Sequence, residues 1–236
     1  MYKRKEIDLP DYRVISMSHD TKRRSKRRAR KEKQSSEAVK RFNEKLRREK
    51  LQVLILANFR EGDLFVTLTY EKEKRPKDIE EAKENIRRLL RKLKGALRKL
   101  GHELKWISTT EIGSKGACHH HLILTYHPGI LDMLRTFWVF SPTPKIEQLY
   151  RDGAFARLSD YIVKTETKEG IPGTKYSRSR NLYIPKERTK VLKRDTWEEI
   201  PKAPKGWVLI KESLTNGVNP CTGFAYQRYI LERIRI

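Results

Sequence analysis

Three consecutive histidines, His119-His120-His121, run straight into the apolar stretch Leu122-Ile123-Leu124-Thr125, and Pro128-Gly129 breaks the run soon after. A short β-forming segment bounded by turn residues reads as a strand. Side chains alternate faces along a strand, so His119 and His121 share one face with Cα atoms about 7 Å apart. Two imidazoles at that separation would converge on one metal ion. His120 points to the opposite face with Cys118 and Leu122. The segment is then either a metal-carrying strand or a His-rich strand end, and a nearby carboxylate favours the first. Leu104 to Glu111 reads as a preceding strand, and Gly113-Ser114-Lys115-Gly116 as the turn between them. The antiparallel hairpin so formed brings Glu111 close to His119. Glu111 is therefore a candidate third ligand, against the plainer reading of a surface carboxylate beside a turn.

Composition narrows the classes of partner. The chain has 236 residues, 37% of them hydrophobic and 36% charged, which supports a core with part of the chain solvated. The net charge is +24, which calls for a polyanionic partner, nucleic acid ahead of an anionic membrane. No apolar run is long enough to span a bilayer, and no apolar signal core stands at the N-terminus. Two cysteines, Cys118 and Cys221, give no disulfide framework. A reducing cytoplasmic setting is expected.

In chain order, residues 1–33 read as a basic arm, with Arg23, Arg24, Lys26, Arg27 and Arg28 as candidate phosphate contacts. Ser35-Ser36 is an N-cap signal, and Val39, Phe42, Leu46, Val53 and Ala57 predict a helix over 36–58. Leu64 to Tyr70 is a strand in which Leu64, Val66 and Leu68 alternate with Phe65, Thr67 and Thr69. The clearest helix opens at Asp78, repeats Ile79, Ala82, Ile86, Leu89, Leu93 and Leu97, and ends at Gly101. A short helix over 130–139, a strand over 145–150 and a helix over 153–168 follow, the last with Phe155, Leu158 and Ile162 on one face. Tyr161, Lys164 and Lys168 occupy a neighbouring face of that helix. Beyond Gly170, a basic, tyrosine-bearing loop offers Lys175, Arg178 and Arg180 to a nucleic-acid backbone. The tail predicts a second strand pair, with residues 206–210 running into Asn216-Gly217 and the return starting near Phe224. The expected domains are an arm over 1–33, an α+β domain over 34–170 with a central antiparallel sheet flanked by helices, and an extension over 171–236.

The ordered set of motifs resembles the HUH endonuclease superfamily, specifically the rolling-circle replication initiators with one catalytic tyrosine. Phe65-Val66-Thr67-Leu68-Thr69-Tyr70 looks like their first motif, His119-His120-His121 the second and Tyr161-Ile162-Val163-Lys164 the third, over residues 60–170. The second motif departs from the pattern, because its middle position is usually a bulky hydrophobe and here is His120. The resemblance implies Mn²⁺ or Mg²⁺ held by His119, His121 and Glu111, although a His₂Glu set also suits catalytic Zn²⁺. It implies that Tyr161 attacks phosphorus, with Lys164 lowering its pKa or holding the phosphate. The implied activity is nicking and joining of single-stranded DNA at a replication origin through a 5′-phosphotyrosine. Recognition of an origin hairpin is implied as well. No GxxxxGK[ST] loop occurs in the sequence, so a host helicase and polymerase are the expected partners. Three rivals remain at this point: a transposase or relaxase with the same chemistry, a basic binding protein with a structural metal, and a metal-dependent hydrolase that activates water.

Overall fold

The computed structural model describes residues 1–19, 36–112, 117–150, 152–164, 176–194 and 196–234. The described residues form β1 (Tyr2–Asp8), β2 (Tyr12–His19), α1 (Glu37–Asn58), β3 (Leu64–Leu68), α2 (Ile79–Lys99), β4 (Trp106–Ile112) and β5 (Cys118–Leu124). They continue with α3 (Ile130–Phe137), β6 (Lys145–Gln148), α4 (Ala156–Lys164), β7 (Ser177–Arg178), β8 (Arg188–Leu192), β9 (Trp207–Leu209), β10 (Thr215–Val218) and β11 (Ala225–Arg233). This is the expected α+β class, with antiparallel sheets and helices. The chain divides into two compact units, one of residues 1–57, 152–156 and 184–236, the other of 58–151 and 157–183.

The second unit is built on a five-stranded sheet in the order β6-β3-β5-β4-β7. Its strands are antiparallel to their neighbours, with Thr67 and Thr109 both opposite His121, and Glu111 opposite His119. One sheet face is apolar. Leu64, Val66, Leu68, Cys118, Leu122 and Leu124 pack there against α2 and α3 through Ile86, Leu89, Leu93, Leu97, Ile130 and Leu134. The leucine spacing on α2 puts these side chains on one stripe, as the sequence predicts. Asp78 caps the start, accepting from the Glu81 N–H at 2.8 Å. Gly101, at φ +77°, closes the other end in a Schellman arrangement, with the His102 N–H donating to the Leu97 carbonyl at 2.9 Å. Only glycine enters that left-handed region without strain. The opposite sheet face carries Phe65, Thr67, Thr109, Glu111, His119 and His121, and α4 lies against it.

The first unit has a six-stranded sheet in which β10-β11-β2-β1-β8 are neighbours and β9 pairs with β11. This corrects the basic-arm expectation for residues 1–19, which form the β1–β2 hairpin with Glu6 opposite Ile15 and Asp8 opposite Arg13. The reason is local. β2 is an interior strand whose Val14, Ile15 and Met17 are buried, while the charges of β1 are satisfied across strands, as in Arg13–Asp8 at 2.6 Å and Lys5–Glu187 at 2.7 Å. Residues 20–35, which hold Arg23, Arg24, Lys26, Arg27 and Arg28, lie outside the described residues. Residues 184–234 complete this same unit, so the tail builds a sheet with the N-terminal hairpin. Asn216-Gly217 sits inside β10, and the chain reverses over 219–224.

The helix expected from 153 begins later. Residues 152–155 form a 3₁₀ turn in which Ala154 and Phe155 adopt φ of 54° and 58°. Left-handed backbone at two residues carrying side chains cannot continue an α-helix, so α4 starts at Ala156. The Gln52 side-chain N–H holds the turn by donating to the Ala154 carbonyl at 2.9 Å.

Leu93 is fully buried at the centre of the α2 seam. Leu93→Ala is expected to lower unfolding free energy by about 2–5 kcal/mol in urea titrations; a loss below about 1 kcal/mol would mean that α2 does not seal this core.

Candidate active site

Strand β5 delivers its three histidines to two environments. His120 is fully buried on the apolar face. Its Nε2 lies 2.7 Å from the Tyr70 hydroxyl and its Nδ1 2.9 Å from the Thr110 hydroxyl. Tyr70 and Trp138 surround the ring at centroid distances of 5.6 Å. Burial pushes its pKa from the usual 6.5 down to about 3, with smaller contributions from His121 and His119. His120 is therefore a neutral core residue with both ring nitrogens engaged. That accounts for the position where the family pattern has a hydrophobe: the hydroxyls of Tyr70 and Thr110 satisfy the polar atoms that a hydrophobe would not carry.

His121 is buried as well, but on the other face, at the hub of a convergent group. Its Nδ1 lies 3.1 Å from the hydroxyl of Thr67, its cross-strand neighbour. Its Nε2 lies 3.3 Å from Glu111 Oε2 and 3.4 Å from the Tyr161 hydroxyl. The Tyr161 ring meets His121 edge-on at 4.9 Å and Phe65 edge-on at 5.8 Å. Thus β3, β4, β5 and α4 each contribute to the same spot. Burial pushes His121 down, partly offset by the hydrogen bond to Glu111, so its ring is neutral at physiological pH. Tyr161 is pushed up by burial and by Glu111 and Glu147, with Lys145 opposing. Its phenol is protonated until positive charge arrives nearby.

The donor set can be tested against a divalent ion. Two ligands bonded to one ion at about 2.1 Å stand about 3.0–3.4 Å apart, which matches the separation of His121 Nε2 and Glu111 Oε2. The Thr67 hydroxyl orients the ring from behind, as supporting groups do at metal sites. His119 shares this face, opposite Glu111 in register, and its Nδ1 is buried without a hydrogen-bond partner. A buried ring nitrogen with no partner is costly unless something binds there. Among the described residues, no three His, Cys, Asp or Glu side chains are gathered as a formed metal site. The pair His121–Glu111 therefore fits a metal as it stands, and His119 fits by face, register and its unused nitrogen.

Other expected site residues are distributed unevenly. α4 ends at Lys164, whose side chain lies outside the described residues, as do Lys168 and Lys175. Arg178 is exposed on β7 opposite Ile107, which places it on the Glu111 face of the sheet. Arg180 is exposed in the turn after β7. Lys145 joins the site without having been expected there. It stands opposite Thr67 on the edge strand β6, on the site face, with its side chain 69% exposed and 3.1 Å from Glu147. Only the register of β6 against β3 reveals it; a lone lysine beside a proline loop carries no signal in the sequence.

Residues 63–166 match a family model described as replication-associated protein ORF2. This span carries a replication-associated domain, consistent with a rolling-circle initiator, and it holds all three motifs together with Glu111 and Lys145. Comparisons with curated proteins and with solved structures gave no match. No helix among the described residues is long and apolar enough to cross a membrane.

The depressed pKa of His120 has a direct readout. The unfolded chain takes up a proton that folded His120 refuses, so its contribution to stability is complete above about pH 6.5 and is lost as pH falls toward 3. In chelator, the His120 ring resonances are expected to stay fixed from about pH 8 to about pH 5, whereas an ordinary imidazole titrates in that window. A His120 midpoint near 6.5 would contradict the buried, neutral assignment.

Proposed function

We propose that this protein nicks and rejoins single-stranded DNA at a rolling-circle replication origin, with Tyr161 as the nucleophile. The observation that carries the reading is the position of the Tyr161 hydroxyl, 3.4 Å from a ring nitrogen of His121 that itself lies 3.3 Å from Glu111. A nucleophile at the open pole of a His–carboxylate pair is the arrangement that a phosphodiester transfer needs.

In this reading His119, His121 and Glu111 hold Mn²⁺ or Mg²⁺, which when bound polarises the scissile phosphate and neutralises charge growing in the transition state. The Tyr161 oxygen forms a bond to phosphorus while the bond from phosphorus to the 3′ oxygen breaks. The products are a 5′-phosphotyrosine and a free 3′-hydroxyl, which takes up the proton that the phenol gives up. One phosphodiester replaces another, so the 3′-hydroxyl can attack in reverse and join ends. Phe65 and His121 fix the phenol edge-on, and Thr67 fixes His121. Lys145 and Arg178 stand on the same sheet face at opposite edge strands, suited to holding phosphates on either side of the cut. Lys164 is assigned to the phosphate or to Tyr161 by its place three residues on. A transposase or relaxase would use the same chemistry; the match to a replication-associated family favours the origin. An origin hairpin is then the substrate, and helicase and polymerase come from the host.

Incubation with single-stranded DNA bearing a candidate origin is expected to give a protein–DNA adduct that needs Mn²⁺ or Mg²⁺. Tyr161→Phe should abolish the adduct, and His121→Ala should lower its rate at least about 100-fold. Metal-dependent cleavage that persists without an adduct in Tyr161→Phe would assign the site to water activation instead.

A further inference from the structure

We propose a second nucleic-acid site in the first unit: a basic cavity formed by β1, β2 and β8 that grips the phosphate backbone of duplex DNA. The cavity is about 460 Å³ and is lined by Arg4, Glu6, Arg13, Arg188, Thr189, Lys190 and Leu192. It stands apart from the cleavage reading, which concerns the other unit.

Strand register gathers these residues. Arg4 is opposite Lys190 and Glu6 opposite Arg188 across β1 and β8, while Asp8 is opposite Arg13 across β1 and β2. Cross-strand partners share a face, so all six charged side chains are presented together. Four cations meet two carboxylates, which leaves an excess of two positive charges.

The carboxylates hold the guanidiniums in place. Arg13 contacts Asp8 at 2.6 Å and Glu6 at 3.1 Å, and Arg4 contacts Glu6 at 3.1 Å. Arg188 pairs with Asp8. Trp207 adds a further brace to Arg13, whose guanidinium sits 4.7 Å from the ring centre. Cations ordered in advance lose less entropy when an anion arrives. Two donors remain unspent. Arg4 Nε is buried without a hydrogen-bond partner, and Lys190 is exposed on the edge strand. A buried guanidinium N–H facing no acceptor is costly, and a phosphate oxygen satisfies it.

The ligand follows from what the cavity lacks. Leu192 is its only apolar lining residue, and Trp207 is already engaged by Arg13 and by Arg233, the latter at 4.9 Å. With no ring free to stack on a base, the site suits a backbone whose bases are turned inward, which is duplex DNA; single strands are held by stacking platforms.

The test is the salt dependence of binding by the full chain, in chelator, to a hairpin duplex and to a single strand of equal length. Arg188→Gln with Lys190→Gln is compared with Lys94→Gln and Lys99→Gln on the solvent face of α2, which removes the same charge elsewhere. The cavity pair should lower the slope of log affinity against log salt by about 2 on the duplex, about one per lost phosphate contact, and by less than half of that on the single strand. The control pair should leave the duplex slope nearly unchanged. Equal effects of the two pairs would reduce the cavity to general electrostatics, and an equal loss on both DNAs would remove the duplex assignment; either overturns the proposal. Adduct formation by the unmodified protein is scored separately, so failure of nicking and failure of this site read differently.

Discussion

Strand β5 is hydrogen-bonded to β3 on one side and to β4 on the other, and the site depends on that double pairing. The register sets His121 between Thr67 and Thr109 and sets His119 against Glu111. Because the side-chain period of a strand is two, a slip of one residue would exchange the faces. His120 would then meet the tyrosine, while His119 and His121 would enter the apolar core. The hydroxyls of Tyr70 and Thr110 guard against the slip, since they satisfy His120 only in the observed register. The buried histidine is thus a register lock for its two neighbours.

Electrostatics in the second unit work against the overall charge. On a chain with a net +24, the described residues facing Tyr161 include two carboxylates, Glu111 and Glu147, that oppose ionisation of its phenol. The buried histidines beneath, His120 and His121, are neutral. This arrangement is poor at making phenolate alone and good at receiving a cation, because a cation on Glu111 would turn an influence that raises the tyrosine pKa into one that lowers it. The anionic substrate is met by charges at the sheet margins, Lys145 and Arg178, and by the basic cavity of the first unit.

Much of the second unit was legible in the sequence because its signals are local. The leucine stripe of α2, its Asp78 cap and Gly101 stop, and the alternation of β3 and β5 all follow from spacing alone. The His119–His121 pairing of faces and the approach of Glu111 were legible for the same reason. Lys145 was not, since only pairing between strands distant in sequence brings it to the site. The N-terminal hairpin was hidden by its lysines and arginines, whose partners Glu187 and Arg188 lie far along the chain. The start of α4 was misread because the left-handed backbone at Ala154 and Phe155 is imposed by surroundings such as Gln52, and neither residue type announces it.

The central claim is that alternation divides the histidine triplet into two ligands and one core residue. Anomalous diffraction from crystals grown with Mn²⁺ measures this directly. The account predicts one peak about 2.0–2.3 Å from His121 Nε2, a Glu111 carboxylate oxygen and a ring nitrogen of His119, with His120 still bonded to Tyr70 and Thr110. A peak on His120, or ordered Mn²⁺ bound elsewhere while these three side chains remain bare, would contradict it.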